Sequence, residues 1–152
     1  VLVYSRSTRL FHAIYAVRRK TYGEIFFALA IAICAYLGRE PWIFTVSLLL
    51  LSLADGGAAV VGRLLGVKNQ YFVFWWPVLR KSIAGTAAYV GLAYLCVFIG
   101  WAIGGQDIIN NNLIATLLVL PLAAAILENV SPYGMDNFVT PLFATLLLNS
   151  LL

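Results

Sequence analysis

Long apolar runs, broken at short intervals by clusters of charge, glycine or amide residues, set the plan of this 152-residue chain. Five apolar segments stand out, at 25–37, 42–54, 83–103, 113–127 and 138–152. The third reaches the roughly 20 residues that cross a bilayer as a straight helix. The others run to roughly 13 to 15 residues and need their flanks, or a cavity, to complete a crossing. Short spans with polar ends occur where helix ends line a site within the membrane. Ahead of them, Leu10, Phe11, Ile14, Tyr15 and Val17 recur at roughly helical spacing among Arg6, Arg9, Arg18, Arg19 and Lys20. That pattern fits an interfacial helix or the cytoplasmic end of a further span. There is no internal repeat, low-complexity tract or linker, so the expected architecture is all-α: one integral-membrane domain over residues 1–152, a polytopic transmembrane helical bundle of about five membrane segments. Val1 in place of an initiator Met leads us to expect residues upstream.

Composition sharpens this reading. Hydrophobic residues make up 62% of the chain and charged residues only 11%, with mean hydropathy +0.93. A soluble domain averages about 25% charged residues. The net charge of +4 gathers in a few clusters, the pattern of cytoplasmic loops rather than of a nucleic-acid-binding surface. Arg18, Arg19 and Lys20 precede the first segment, and Arg63, Lys68, Arg80 and Lys81 lie between the second and third, whereas 104–112 has no Lys or Arg. The positive-inside rule then puts the N-terminus, 55–82 and 128–137 in the cytoplasm. Asp55, Arg63, Lys68, Arg80, Lys81, Glu128, Asn129, Asp136 and Asn137 therefore fall on one membrane face. Stretch 67–82 reads as a loop whose Tyr71, Phe72, Phe74, Trp75 and Trp76 form an aromatic belt at the headgroups, or border an entrance for a lipidic substrate. Cys34 and Cys96 lie inside apolar runs and read as buried, unpaired thiols. With a single His and no CxxC, a Cys/His metal site is excluded.

The chemistry centres on 52–66, SLADGGAAVVGRLLG, where Asp55 follows an apolar segment directly. A carboxylate there is costly unless it faces water, a metal or a partner. Small residues from Gly56 to Ala59 permit close approach of a ligand or a neighbouring helix. Carboxylates are hard ligands of the kind Mg²⁺ takes, one or two at a time, with phosphate and water completing its shell. Asp55 with Asp136, joined by Glu128, offers such a set. Arg63, Lys68, Arg80, Lys81 and the 18–20 cluster offer charge for phosphate. Acid and base together at the mouth of an apolar bundle suit phosphoryl or nucleotidyl transfer to a lipid. The alternative on spacing alone is that these charges cap helices and pair with one another. Ser82 and Gly85 at the start of the longest span allow either a phosphate-receiving helix N-terminus or an ordinary cap. No Walker motif, dinucleotide fingerprint or hydrolase triad is present.

In order, Asp55…Ala59…Gly62-Arg63…Gly66, then Lys81-Ser82…Gly85, then Glu128…Met135-Asp136-Asn137…Thr140-Pro141-Leu142 resembles the CTP-dependent polyprenol kinases. That family includes phytol, dolichol and farnesol kinases and is distantly similar to phosphatidate cytidylyltransferases. Arg19-Lys20-Thr21-Tyr22-Gly23-Glu24 also resembles a segment that precedes a span in phytol-kinase-like members. The chain departs from the family at Ala54, where a Gly is usual, at Met135, at Thr86 and in the aromatic 67–82 stretch. The resemblance implies phosphoryl transfer from CTP to the hydroxyl of a long-chain isoprenoid alcohol, with Mg²⁺ as cofactor. It implies that Asp55 and Asp136 bind metal and do the chemistry with Glu128, and that Asp136 is either a second ligand or the base. Arg63, Lys81, Lys20 and Asn137 would serve the nucleotide phosphates, Asn137 and Glu128 by orienting the other groups. The partners implied are a nucleoside triphosphate, a lipid alcohol and membrane lipids, with no nucleic acid and a homodimer as the candidate assembly. Two other readings stay open: a cytidylyltransferase that makes a CDP-lipid, and a non-enzymatic transporter or assembly protein.

Overall fold

A computed structural model describes residues 22–73, 76–104 and 111–150. Helix α1 (Gly23–Leu37) turns at Gly38 into α2 (Pro41–Leu49), which starts with proline in its first turn, where a missing N–H costs nothing. α2 does not stop at the end of its apolar run. It continues through a π-helical turn (Leu50–Ala54) into α3 (Asp55–Leu65), making one helical rod of 25 residues, Pro41–Leu65. A 3₁₀ turn (Gly66–Lys68) leads into an antiparallel hairpin of β1 (Gln70–Val73) and β2 (Trp76–Ser82). Then follow α4 (Ile83–Gly104), α5 (Asn111–Val130) and α6 (Asp136–Ser150).

The expectation of an all-α chain holds for the bulk of the fold, and an expected apolar segment falls on each described helical rod. Two local readings are corrected. Asp55 does not end a span, because the helix runs on past the two glycines to Leu65, packed closely on α4 at Ala58 and Gly62. Stretch 67–82, read as a loop, contains the hairpin, whose aromatic and β-branched residues suit a pleated ribbon. Its register runs Gln70↔Ser82, Tyr71↔Lys81 and Phe72↔Arg80, then slips at Val73. The tip at 74–75, and with it Phe74 and Trp75, lies outside the described residues, as do 1–21 and the 105–110 connection.

Packing follows membrane logic. The core is built largely from small or slender side chains: Ala54 and Ala58 on the long rod, Ala93 and Cys96 on α4, Ala124 on α5, Ala144 on α6. Many large apolar residues point outward, with Leu118 59% and Ile126 63% exposed on α5, while Ile43, Leu50, Leu120 and Leu148 are buried. A bundle in water would bury the large residues; in lipid, association relies on close backbone approach and interhelical hydrogen bonds. Two helices, Pro41–Leu65 and Ile83–Gly104, are long and apolar enough to cross a bilayer, while Gly23–Leu37 and Ile114–Val130 are apolar but shorter. The chain is thus suited to membrane association.

Polar contacts tie the rods together at several levels. Ser47 and Thr145 hydroxyls meet at 2.8 Å in the buried α2–α6 seam. At one end the Asn149 amide donates to the Leu37 carbonyl (2.8 Å) and accepts from the Arg39 N–H (3.2 Å), clamping the α1–α2 turn to α6. At the other end Asn137 Nδ2 donates to the Gly23 carbonyl at 3.3 Å. Cys34 and Cys96 are buried and free, as expected.

Candidate functional site

Three turns of chain, far apart in sequence, bring the acidic residues together. Asp55 opens α3 from the middle of the long rod. Its N–H reaches back five residues to the Leu50 carbonyl, closing the π turn. Glu128 sits in the last turn of α5 and Asp136 opens α6. The connection between them folds tightly because Tyr133 (φ 54°) and Gly134 (φ 85°) both take left-handed backbone, a conformation glycine adopts without steric cost. One ligand oxygen from each of Asp55, Glu128 and Asp136 then lies within 4.8 Å of the others. The three surround a small cavity that Leu50, Leu51, Tyr89, Asn137 and Thr140 also line.

Lys81 approaches from the end of β2. Its ammonium donates to the Glu128 carboxylate and, at 3.2 Å, to the Glu128 carbonyl. The pair is largely shielded, with 22% of the Lys81 side chain and 10% of that of Glu128 exposed. The hairpin that delivers Lys81 is docked by its cross-strand neighbour, Tyr71. The Tyr71 hydroxyl donates to Asn129 Oδ1 and lies 2.7 Å from Thr86 Oγ1. Asn129 is held in turn by its own helix, through Nδ2 to the Ala125 carbonyl at 2.8 Å.

Asp136 accepts the Asn137 N–H at 3.1 Å. Pro141, inside α6, has no N–H to offer the Asn137 carbonyl four residues earlier, which leaves an oxygen beside Asp136 outside the usual helix ladder. The start of α4 is closed rather than open. Ser82 Oγ caps it by accepting the Gly85 N–H at 3.1 Å. A Cβ on Gly85 would lie 3.2 Å from the Ala58 carbonyl and 3.3 Å from Gly62 Cα, so the glycines at 62 and 85 serve the close α3–α4 crossing. Of the two readings of this helix start, the cap is the one the structure displays.

The residues fit a hard divalent cation. All donors are oxygens, the carboxylates converge, and one ammonium faces three carboxylates, so a single divalent ion would bring the local charge to balance. Of the expected site residues, Asp55, Glu128, Asp136 and Asn137 line the cavity, and Lys81 pairs with Glu128. Arg63 does not join them. It is exposed on the last turn of α3, where its Nε donates to the Ala59 carbonyl at 3.3 Å. Lys20 lies outside the described residues. Tyr89 and Thr140 line the cavity without having been singled out as site residues. The signal available for Tyr89 was a phenol hydroxyl in the middle of an apolar span, which needs a partner where water is absent.

No family model and no solved structure matches the chain. Among curated proteins it is similar to the phytol kinase of Synechocystis sp., 32% identical over 138 residues. The match covers 87% of this chain and 55% of that protein, so the chain spans about half the length of the relative it matches. The similarity supports a family relationship with the polyprenol and phytol kinases.

Proposed function

From that kinship we propose that the protein is a CTP-dependent kinase that phosphorylates a long-chain, phytol-like isoprenoid alcohol at the cytoplasmic membrane face, yielding prenyl phosphate and CDP. The observation that carries the reading is the convergence of Asp55, Glu128 and Asp136 with Lys81 at one end of an apolar bundle. In this reading all five helical rods cross or enter the membrane, with the hairpin at the headgroups.

Asp55 and Asp136 would hold Mg²⁺, whose charge would offset that of the phosphates. Lys81 exchanges part of its contact with Glu128 for a phosphate oxygen, and Arg63 and Lys20 are the further cations that this reading assigns to phosphate. Asn137 fixes Asp136, which takes the proton as the alcohol oxygen bonds to the γ-phosphorus and the bond to the β-phosphate breaks. The prenyl chain lies among the helices beyond Leu50 and Leu51.

The test supplies membranes carrying the protein with γ-labelled CTP or ATP and, in parallel, phytol, geranylgeraniol, farnesol and a dolichol. We expect label to move from CTP into one lipid, and the Asp55→Asn variant to lose at least ~100-fold of that rate, since its carboxylate is used on the reacting phosphates. Absence of transfer to every alcohol by folded protein would refute the kinase reading. Release of pyrophosphate with a CDP-lipid product would replace it by nucleotidyl transfer.

A further inference from the structure

Two neighbouring hydroxyls in the cavity, those of Tyr89 and Thr140, are left without a well-formed hydrogen bond. Tyr89 is 1% exposed and Thr140 4%, and both line the space beside Asp55 and Asp136. Among the described residues, neither hydroxyl makes a hydrogen bond of acceptable geometry. Burying a hydroxyl unpaired is costly, and in a hydrocarbon surrounding water does not relieve it. Thr86 and Thr145 on the same helices are satisfied, Thr86 by Tyr71 and Thr145 by both Ser47 and the Pro141 carbonyl, and the other unpaired group of α4, Trp101 Nε1, lies far along the helix from Tyr89 and outside the cavity lining. Two unpaired groups at one place, on two different helices, therefore mark a place kept for a ligand atom.

Their position along the bundle says which ligand. Lys81 directly precedes α4, whose first turn packs Gly85 against Gly62, two turns beyond Asp55. Leu50 and Leu51 lie about one turn from Asp55 in the opposite direction, and Thr140 lies one turn into α6 from Asp136. The cavity's carboxylates therefore have Lys81 beyond Glu128 on one side and apolar residues with the two hydroxyls on the other. We propose that Tyr89 and Thr140 bind the hydroxyl oxygen of the lipid alcohol, Tyr89 as donor and Thr140 as the adjustable partner that donates or accepts. This rests on the reading that an alcohol is the acceptor, and it names the residues that distinguish that alcohol from a plain hydrocarbon chain.

Binding tests it separately from catalysis. The purified full chain in detergent is given a tritiated C20 isoprenoid alcohol, competed with the unlabelled alcohol or with the hydrocarbon of the same skeleton lacking the hydroxyl. We expect the alcohol to compete at least ~10-fold better in the wild type, and Tyr89→Phe/Thr140→Val to lose that preference. Each single change should raise the KM for alcohol and lower kcat, leaving the KM for nucleotide unmoved. Tyr89→Phe should also unfold at the same temperature as the wild type or higher, because it removes a hydroxyl with no partner. A preference kept in the double variant overturns the assignment, as does a wild type without preference. An effect confined to the Mg²⁺ activation constant also overturns it, by assigning the hydroxyls to a metal-bound water. A hydroxyl preference without phosphoryl transfer would keep the assignment and sink the kinase reading alone.

Discussion

Replacing Lys81 by Met retains the length of the side chain and removes its charge, which makes it the sharpest probe of how the carboxylates are tolerated. The ammonium faces Glu128 directly and also holds the Glu128 carbonyl at 3.2 Å, while both side chains are mostly shielded. At an effective dielectric of ~20 a pair of unit charges ~4 Å apart interacts by ~4 kcal/mol. Desolvation offsets part of that gain in the intact pair, but removing one partner leaves a shielded charge uncompensated, at a cost of about 3–5 kcal/mol. The remaining exposure of Lys81 argues for the lower end, about 3 kcal/mol. For a chain of this size that lowers the unfolding midpoint by roughly 6–12 °C.

The assay is thermal unfolding of purified protein in one detergent, without divalent ions. Lys81→Met should show the full loss, and Glu128→Gln on top of it should recover at least half, because the charge left stranded is gone. Added Mg²⁺ should narrow the gap between Lys81→Met and the wild type, since the ion supplies positive charge to the same oxygens. A Lys81→Met protein as stable as the wild type would refute this account of the cluster. A loss that Glu128→Gln fails to recover would show that Lys81 matters for docking the hairpin rather than for charge.

Two further outcomes probe other parts of the design. In the wild type, Mg²⁺ at 100 times its dissociation constant should add about 2.7 kcal/mol of stability, and the gain should vanish when Asp55 and Asp136 are both changed to Asn, read as the ion-induced shift in unfolding temperature. Gly85→Ala places a Cβ 3.2 Å from the Ala58 carbonyl and 3.3 Å from Gly62 Cα, so it should cost about 1–3 kcal/mol in the same assay. Gly91→Ala, in the same helix with open space around it, should cost nothing.

Much of this molecule is legible in its sequence, for identifiable reasons. Apolar runs mark every described helical rod, because burial and lipid contact both need them. Loop charge puts the segment ends that bear Asp55, Glu128 and Asp136 on one face, while helix packing is what makes their carboxylates neighbours. What lies beyond reach is decided by tertiary contact. The helix continues past Asp55 because α4 packs on Gly62 and Ala58, although Asp-Gly-Gly taken locally suggests a break. The hairpin is pinned by Tyr71 meeting Asn129 and Thr86, partners 58 and 15 residues away. Arg63 belongs to the same sequence motif as Asp55 yet does not reach the cluster, because eight positions carry it ~12 Å farther along the helix axis and ~80° round it.

The π turn explains how one rod can serve the core and the site in succession. Ile43, Val46 and Leu50 form a buried stripe at the three- and four-residue spacing of an α-helix. Carried on without interruption at ~100° per residue, that spacing would set Asp55 ~120° away from Ile43, at the edge of the buried face. The Asp55 N–H instead bonds the Leu50 carbonyl five residues back, so the turn from Leu50 to Ala54 takes in about one extra residue. The effect is to rotate Asp55 back toward the stripe by roughly the arc of one residue, ~100°. Ala54 and Ala58 remain buried, and the carboxylate meets Glu128 and Asp136. A wide turn has weaker hydrogen-bond geometry than an α-helical one, and here it coincides with the residue that most needs to face inward. The irregularity in the helix and the convergence of the acidic groups are thus one structural event, with the buried Ala54 as the last residue of the turn and the Asp55 N–H closing it.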